Sequence, residues 1–396
     1  MSVLAAPVAS SRRVDRLGVL IALVAILGAI LPFALFRANR IVPGEGGGIA
    51  AALPPAEAAL LGLALLCFLA AAVLRVPAAV KLAAGAALLA LACLLVGRSA
   101  GFLTPPGNSF ARVAPGSGFW TLSFAALLLA ADALVRLRLP PLGRVAVLVL
   151  ALALLGLLLW SGAWDGLSLL KEYGTRTERF WAEGRRHVAL AFGSVAAACL
   201  LGLPLGLLCH RVGRLRAGVL SVLNILQTVP SIALFGLLIG PLAWVAANVP
   251  GARALGISGI GAAPAFVALV GYSLLPIVSN TVVGLAGVSR SVVEAARGMG
   301  MRRSQRLFRV ELPLAAPVVL TGIRIVLVQN IGIATVAALI GGGGFGVFVF
   351  QGVGQTAMDL VLLGAAPTVL LAFTAAVLLD AAVEALSGSN RRKAER

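Results

Sequence analysis

A short charged segment, residues 294–313, interrupts the otherwise apolar second half of this chain. Ser291 and Glu294 have the spacing of a capping box, which predicts that a helix begins there, and Gly300 can end it. Positions i, i+3, i+4 and i+7 of this helix form one small apolar face, made of Val292, Ala295, Ala296 and Met299. Such a face suits docking into the groove of another protein. The segment is therefore predicted to bind another protein.

No residue pattern elsewhere in the chain predicts catalysis, a metal ion or a bound cofactor. The sequence contains no Walker motif, and the run Gly341–Gly346 lacks the Lys-Ser/Thr ending of a phosphate loop, so we expect a turn there. His187 and His210 lie at opposite ends of one apolar run, too far apart along a helix to share a metal ion. The chain therefore contains no sequence motif with which it could hydrolyse ATP itself.

The composition places the chain in a lipid bilayer. Of 396 residues, 60% are hydrophobic and only 12% are charged, which leaves too little polar surface for a soluble globule. A helical span needs about 20 mainly apolar residues. Ten segments meet or approach that length: 17–36, 58–74, 82–97, 119–135, 145–164, 188–209, 217–252, 254–289, the stretch after Pro313, and 360–379. We expect an all-α integral membrane protein with about ten transmembrane helices.

The net charge of +18 follows membrane topology and does not indicate nucleic-acid binding. With ten spans and the Glu294 segment in the cytoplasm, about twice as many Lys and Arg residues lie inside as outside. This excess predicts a multi-pass protein of the bacterial inner (plasma) membrane with both termini in the cytoplasm.

The chain divides near residue 165 into two sets of five predicted spans. Residues 1–164 form an N-terminal accessory region whose helices contain almost no polar side chain, and residues 165–186 form an external polar linker with charges of both signs. Residues 187–386 form a second five-helix region that contains the cytoplasmic loop 290–313, and residues 387–396 form a basic cytoplasmic tail.

Uncharged polar side chains occur on three helices of the second region, at Asn224, Gln227, Thr228, Ser231, Asn280, Gln329 and Asn330. Pro230 interrupts the first of these helices and frees a backbone carbonyl, which membranes tolerate where protein or water satisfies it. These side chains either line a polar translocation path or form interhelical hydrogen bonds of about 1 kcal/mol each. Arg324 lies inside a span and can snorkel to the cytoplasm, pair with an amide or contact a substrate.

The segment from Glu294 to Pro313 resembles the cytoplasmic loop by which permease subunits of bacterial ATP-binding-cassette (ABC) importers contact their ATPase. The matching pattern is E-A-A-x3-G-x9-hydrophobic-x-L-P, carried here by Glu294, Ala295, Ala296, Gly300, Leu312 and Pro313. In that family the loop is called the coupling helix. The resemblance extends the ATPase-coupling role to the intervening residues Arg297, Gly298 and Met299.

Five stretches, two of which overlap the Glu294–Pro313 segment, resemble the osmoprotectant branch of that family, which imports glycine betaine, choline or carnitine: 224–234, 272–281, 294–301, 310–317 and 340–346. The resemblance implies a MetI-like permease core of five helices, preceded here by five extra helices. It also implies an assembly with a second permease subunit, ABC ATPase subunits that bind ATP and magnesium, and an external substrate-binding protein. This chain would then be a transport subunit without enzymatic activity of its own.

Three alternatives differ from this interpretation. A permease for methionine or another amino acid would share the coupling loop. A secondary transporter commonly uses intramembrane carboxylates, and here the only acids in the spans of the second region, Asp380 and Glu384, lie near a cytoplasmic end. A structural membrane anchor would not require the clustered amides of the second region.

Overall fold

The computed structural model describes residues 14–39, 42–108 and 110–394, with side chains up to residue 387. Within this part of the chain two compact units are distinguished. The first unit ends at Pro140 and also takes in Leu150–Lys171, whereas the second contains Pro141–Val149 and everything from Glu172 onward.

The first unit is a helical bundle with a small sheet. Its helices are α1 Arg16–Ile30, α2 Ile49–Ala52, α3 Pro55–Val73, α4 Ala78–Leu103 and α5 Ser117–Leu137. Two helices, α6 Pro141–Trp160 and α7 Ser168–Gly174, contribute residues to both units. Three short antiparallel strands, β1 Ala34–Arg37, β2 Glu45–Gly47 and β3 Arg112–Pro115, pair in the order β2-β1-β3. The sequence did not predict this sheet, because strands of three or four residues leave no readable alternation.

A charge cluster connects three helices of the first unit. The Asp15 carboxylate accepts hydrogen bonds from the backbone amides at the start of α1, which satisfies donors that the helix leaves open. The ammonium of the buried Lys81 lies 2.6 Å from the same carboxylate, and the Arg136 guanidinium lies 2.8 Å from it. The hydrogen bond from Lys81, opposed by burial, lowers the pKa of Asp15 to about 2.

The second unit contains the remaining helices. They are α8 Thr177–Arg211, α9 Gly213–Thr228, α10 Ser231–Asn248, α11 Ala262–Ala286, α12 Arg290–Gly298, α13 Arg303–Arg306, α14 Leu312–Ala334, α15 Gly346–Gly354 and α16 Met358–Ala394. A π-helical turn, Leu307–Glu311, joins α13 to α14, and a 3-10 turn, Val336–Ile340, follows α14. Helices α8, α11 and α14 share a core that includes Ala191, Leu269 and Ile331. Gly202 and Gly206 of α8 let α11 approach closely, since a Cβ at either position would meet Ile277 or Thr281 at under 3 Å.

The fold class predicted from the sequence is confirmed. Nine helices of the described residues are long and apolar enough to cross a membrane, and α1 is a shorter apolar helix of 15 residues. Together they coincide with the ten predicted spans. The run 217–252 is not one helix, however, because it breaks at Val229 and Pro230 between α9 and α10. Residues 165–186, predicted as a linker, contain α7 and the first turns of α8.

Candidate functional site

Helix α12 begins differently from the sequence prediction. The capping box of Ser291 and Glu294 is wrong, because α12 starts at Arg290 with Ser289 at the N-cap position. The Ser289 hydroxyl lies 2.7 Å from the Ser291 hydroxyl and does not cap the backbone, so the two serines bond to each other.

The end of α12 follows the prediction. Gly300 has a φ of +78°, which L-residues with a Cβ rarely adopt. The Gly300 amide donates to the Arg297 carbonyl at 3.0 Å, and the Met301 amide donates to the Ala296 carbonyl at 3.2 Å. This pair of hydrogen bonds is the Schellman motif, which closes the last turn and fixes the direction in which the chain leaves the helix.

The predicted apolar face of α12 divides into an inner and an outer part. Ala296 is buried against its own unit, whereas Val292, Ala295 and Met299 are exposed, Met299 to 75%. The other predicted coupling residues on α12, Glu294, Arg297 and Gly298, are exposed as well. The buried Ala296 and the half-buried Val293 thus attach α12 to its own unit, and most of the helix surface remains exposed.

The segment after α12 is basic and leads directly into a long helix. Arg302, Arg303 and Arg309 are exposed, while the Arg306 guanidinium lies 2.9 Å from the Glu311 carboxylate. Residues 303–334 form one helical stretch of 32 residues that includes the π turn and α14. The predicted coupling residues Leu312 and Pro313 form the first turn of α14, half-buried and exposed respectively.

A cleft of about 300 Å³ lies at the break between α9 and α10. Its lining is Gln227, Thr228, Val229, Pro230, Ser231, Tyr272, Gln329 and Ile333. Four of the seven residues predicted for a translocation path are therefore in this cleft. None of the lining residues carries a formal charge, so the cleft offers amide and hydroxyl groups on an otherwise apolar wall.

Tyr272 of α11 holds the helix break in place. Its hydroxyl donates to the Val229 carbonyl at 2.5 Å, and the Gln227 side-chain amide donates to the Tyr272 carbonyl at 2.7 Å. Tyr272 is only 4% exposed. Its sequence context did not predict a path residue, although it is one of two tyrosines and lies in one of the stretches that carry the family resemblance.

The other three predicted path residues lie away from this cleft lining. Asn330 is fully buried, and its side-chain amide donates to the hydroxyls of Ser194 and Ser273, both at 2.8 Å. Asn280 donates to the Pro276 carbonyl of its own helix at 2.8 Å, and Asn224 is exposed. The geometry of Asn330 matches the interhelical hydrogen-bond alternative.

Arg324 pairs with a carboxylate, which none of the three sequence alternatives included. Its guanidinium forms an ion pair with Asp380 of α16. The two residues are far apart in the sequence, so their proximity follows only from the packing of α14 against α16.

The glycine-rich loop, residues 341–346, forms the predicted turn and is held by α8. Gly341, Gly343 and Gly344 have φ values of +77°, +78° and +87°. The Gly344 amide donates to the buried Glu183 carboxylate at 2.7 Å, and His187 is buried beside the Phe345 ring. Glu183 was not predictable as a site residue, because it is one of several charged residues in the segment 165–186. No group of three or more His, Cys, Asp or Glu in the described residues could hold a metal ion.

Comparison with known protein families divides the chain in two. Residues 200–392 match the family described as the binding-protein-dependent transport system inner membrane component, and residues 15–170 match the N-terminal domain of the ABC transporter permease YehY. Of the features above, α12, the cleft and the Arg324–Asp380 pair all fall within the first of these ranges.

Characterised relatives align with the same half of the chain. The osmoprotectant import permease protein OsmY of Salmonella typhimurium is 39% identical over 233 residues, which cover 58% of this chain and 89% of the relative. The choline transport system permease protein OpuBB of Bacillus subtilis is 34% identical over 207 residues, covering 52% and 88%. A solved chain of the inward-facing MetNI methionine ABC transporter is 24% identical, covering 52% of this chain and 96% of its own length. Its TM-score of 0.44 is too low to support a structural argument.

Proposed function

Because this chain belongs to the family of inner-membrane permeases of binding-protein-dependent transport systems, we propose that it forms the membrane path of an ATP-driven importer for osmoprotectants such as glycine betaine, choline or carnitine. The chain is a multi-pass protein of the inner membrane. We further propose that both termini face the cytoplasm, as the distribution of Lys and Arg predicts.

The observation that carries the proposal is the exposed face of α12. A helix that buries one small residue and exposes Met299 and Val292 at its surface suits the groove of a soluble partner. In the proposed assembly this partner is an ABC ATPase. The ATPase binds ATP and magnesium, for which this chain has no binding motif. The predicted coupling residues from Glu294 to Gly300, with Leu312 and Pro313, form the contact.

The cleft supports the transport half of the proposal. Its amide and hydroxyl groups can solvate a zwitterion or a quaternary ammonium ion without trapping it on a fixed opposite charge. Tight capture then belongs to an external binding protein, and a second permease subunit completes the assembly. We propose that Gln227, Thr228, Ser231 and Gln329 line the path. Asn224, Asn280 and Asn330 support the surrounding helices.

The relatives favour osmoprotectants over amino acids as the substrate. The permeases that are 34% to 41% identical to this chain are named for osmoprotectant, choline, carnitine or glycine betaine transport. A methionine or other amino-acid importer remains the competing proposal, since it would use the same coupling helix. The first unit is proposed as an accessory region of the permease.

Uptake and co-purification together test the proposed function. We expect a strain that lacks this gene to lose ATP-dependent uptake of labelled betaine, choline or carnitine, and to regain it when the gene is restored. Uptake of labelled methionine without uptake of betaine would favour the amino-acid importer. Uptake that persists in a strain without the partner ATPase would refute the importer proposal altogether.

A matched pair of variants tests the role of α12. Met299→Glu places a charge on the exposed face, and we expect it to prevent co-purification of the ATPase. Met358→Glu makes the same change at the first residue of α16, where Met358 is exposed to 61%, and the ATPase should still co-purify. If co-purification of the ATPase is lost equally in both variants, the cause is general destabilisation of the chain.

A further inference from the structure

Four ionisable side chains of the second unit form a continuous ion network across three helices. Arg324 of α14 pairs with Asp380 of α16, and Arg144 of α6 pairs with Glu384 of α16. A guanidinium nitrogen of Arg144 also lies 3.5 Å from the second oxygen of Asp380, which connects the two pairs. We call these four residues the ionic quartet.

The quartet is electrically neutral and depends on arginine geometry. Two guanidinium groups face two carboxylates, so every charge in this part of the helices has an opposite partner. Asp380 and Glu384 lie one turn apart on the same side of α16, and the two outer nitrogens of Arg144 reach both of them. A lysine could not bridge the two carboxylates in this way, because it presents a point charge instead of a planar fork.

Arg144 comes from outside the permease core. It lies in the region matched by the YehY N-terminal domain, residues 15–170, whereas its three partners lie in the region matched by the transport permease family, residues 200–392. By its contacts the first part of α6, Pro141–Val149, belongs to the second unit. The permease core of this chain therefore takes one member of its ion network from the extra N-terminal sequence.

Asp380 of α16, which Arg144 contacts, also pairs with Arg324 of α14, and the helical stretch of α14 leads back to α12. Arg324 lies on the continuous helical stretch 303–334, which begins directly after α12 and its closing turn. A displacement at the start of this stretch passes through the π-helical turn, Leu307–Glu311, and along α14 to Arg324. The position of Arg324 relative to α16 therefore determines how α14 responds when α12 moves.

We propose that Arg144 is a positioning residue that completes the ionic quartet and thereby sets how motion of α12 is transmitted through α14. The inference rests on the proposed function, since transmission is meaningful only if α12 docks an ATPase. It assigns to the extra N-terminal sequence a part in the coupling of the permease core. The pairing itself does not depend on transport and can be tested separately.

Charge exchange tests the pairing in the purified chain. We expect Arg144→Glu and Glu384→Arg each to lower the thermal unfolding midpoint, because each leaves an excess of like charge in the quartet. The double variant R144E/E384R restores neutrality and should recover most of the lost midpoint. If the two single effects merely add in the double variant, the quartet is refuted.

Reconstituted transport tests the positioning role. In proteoliposomes with the ATPase and the binding protein, Arg144→Gln should reduce betaine uptake per ATP hydrolysed by about two- to thirtyfold, the usual range for residues along a coupling network. Arg98→Gln is the matched control, because Arg98 also precedes the core and pairs with Glu57 at 2.7 Å but lies outside the quartet. An unchanged ratio in R144Q, or an equal fall in R98Q, refutes the positioning role.

These outcomes separate the inference from the proposed function. If the wild-type assembly shows no ATP-driven uptake of any osmoprotectant, the proposed function fails and the positioning role fails with it. If the wild type transports normally and charge exchange gives no recovery, the quartet and the positioning role are refuted while the proposed function stands.

Discussion

Gly300 provides a sharp test of the proposed coupling helix, because the effect of this residue on α12 is entirely conformational. The residue has a φ of +78° and ends α12, and a Cβ built on it would meet nothing within 4 Å. Gly300→Ala therefore introduces no steric clash with the rest of the protein. Its whole effect comes from forcing an alanine into the left-handed region of the backbone.

The expected cost follows from that conformation. An L-residue in the left-handed region is less stable by about 1–2 kcal/mol. The exposed α12 can avoid this strain by loosening its last turn, which breaks the hydrogen bonds that Gly300 and Met301 donate. A partner that requires the closed turn must then restore it on binding. The free energy needed to restore the turn weakens binding, so the dissociation constant for the ATPase should rise about five- to thirtyfold.

The assay is direct measurement of ATPase binding to the purified chain in lipid nanodiscs, accompanied by substrate-stimulated ATP hydrolysis. We expect Gly300→Ala to weaken binding by the factor above while the thermal unfolding midpoint of the membrane helices stays unchanged. The midpoint should not move, because Ala296 is the only buried residue of α12.

Gly298→Ala is the matched control. Gly298 is the last residue of α12, has a negative φ, and is equally free of neighbours within 4 Å. The substitution adds the same methyl group without backbone strain and should stabilise the helix slightly. Equal weakening in both variants would mean that the added methyl obstructs docking. Normal binding by Gly300→Ala would refute the argument that the closing turn is required.

Three further predictions concern the supporting structure. Tyr272→Phe should cost about 1 kcal/mol in unfolding experiments and reduce uptake, because it removes the hydrogen bond to the helix break, while Tyr173→Phe leaves uptake unchanged. Asp15→Asn should lower the free energy of unfolding by about 3 kcal/mol, since it leaves the charge of the buried Lys81 unpaired. In the wild type, the stability that Asp15 supplies should be present above pH 4 and fall towards pH 2, because the pKa of Asp15 is lowered from 3.8 to about 2. Denaturation measured across that pH range gives the loss of stability. Glu183→Gln should loosen the glycine-rich loop, measured as faster amide exchange at its backbone, because a charge-assisted hydrogen bond becomes a neutral one.

The helices were predictable from the sequence because each span is a long apolar run, and length and hydropathy alone determine such helices in a bilayer. Their ends were less predictable. Helix α8 begins at Thr177 although the uncharged run begins at 188, since charged side chains outside the apolar region can still continue a helix. The break at Val229 and Pro230 was foreseeable as an interruption, but the sequence did not show that the run would become two separate helices.

The side-chain contacts of the candidate site were likewise only partly predictable from the sequence. Gly300 was predictable because a positive φ at a helix end is a local property of one residue. The partner of Arg324 was not predictable, because Asp380 lies on a different helix and only packing brings the two together. The amides of Gln227 and Asn330 look equivalent in sequence. One lines the cleft and the other is buried between serines, because each helix has only one side turned toward the cleft.

Helix α11 brings the two parts of the site into contact through adjacent residues. Ser273 accepts a hydrogen bond from Asn330 of α14, and its neighbour Tyr272 donates one to Val229 at the helix break. Adjacent helical residues point about 100° apart, so one turn of α11 contacts α14 on one side and the cleft on another. The long helix 303–334 that starts beside α12 also lines the cleft directly, through Gln329 and Ile333. In the proposed importer, a displacement of α14 that breaks or shifts the Asn330 bond acts on the turn of α11 that holds the break, so this contact connects the proposed ATPase surface to the proposed path.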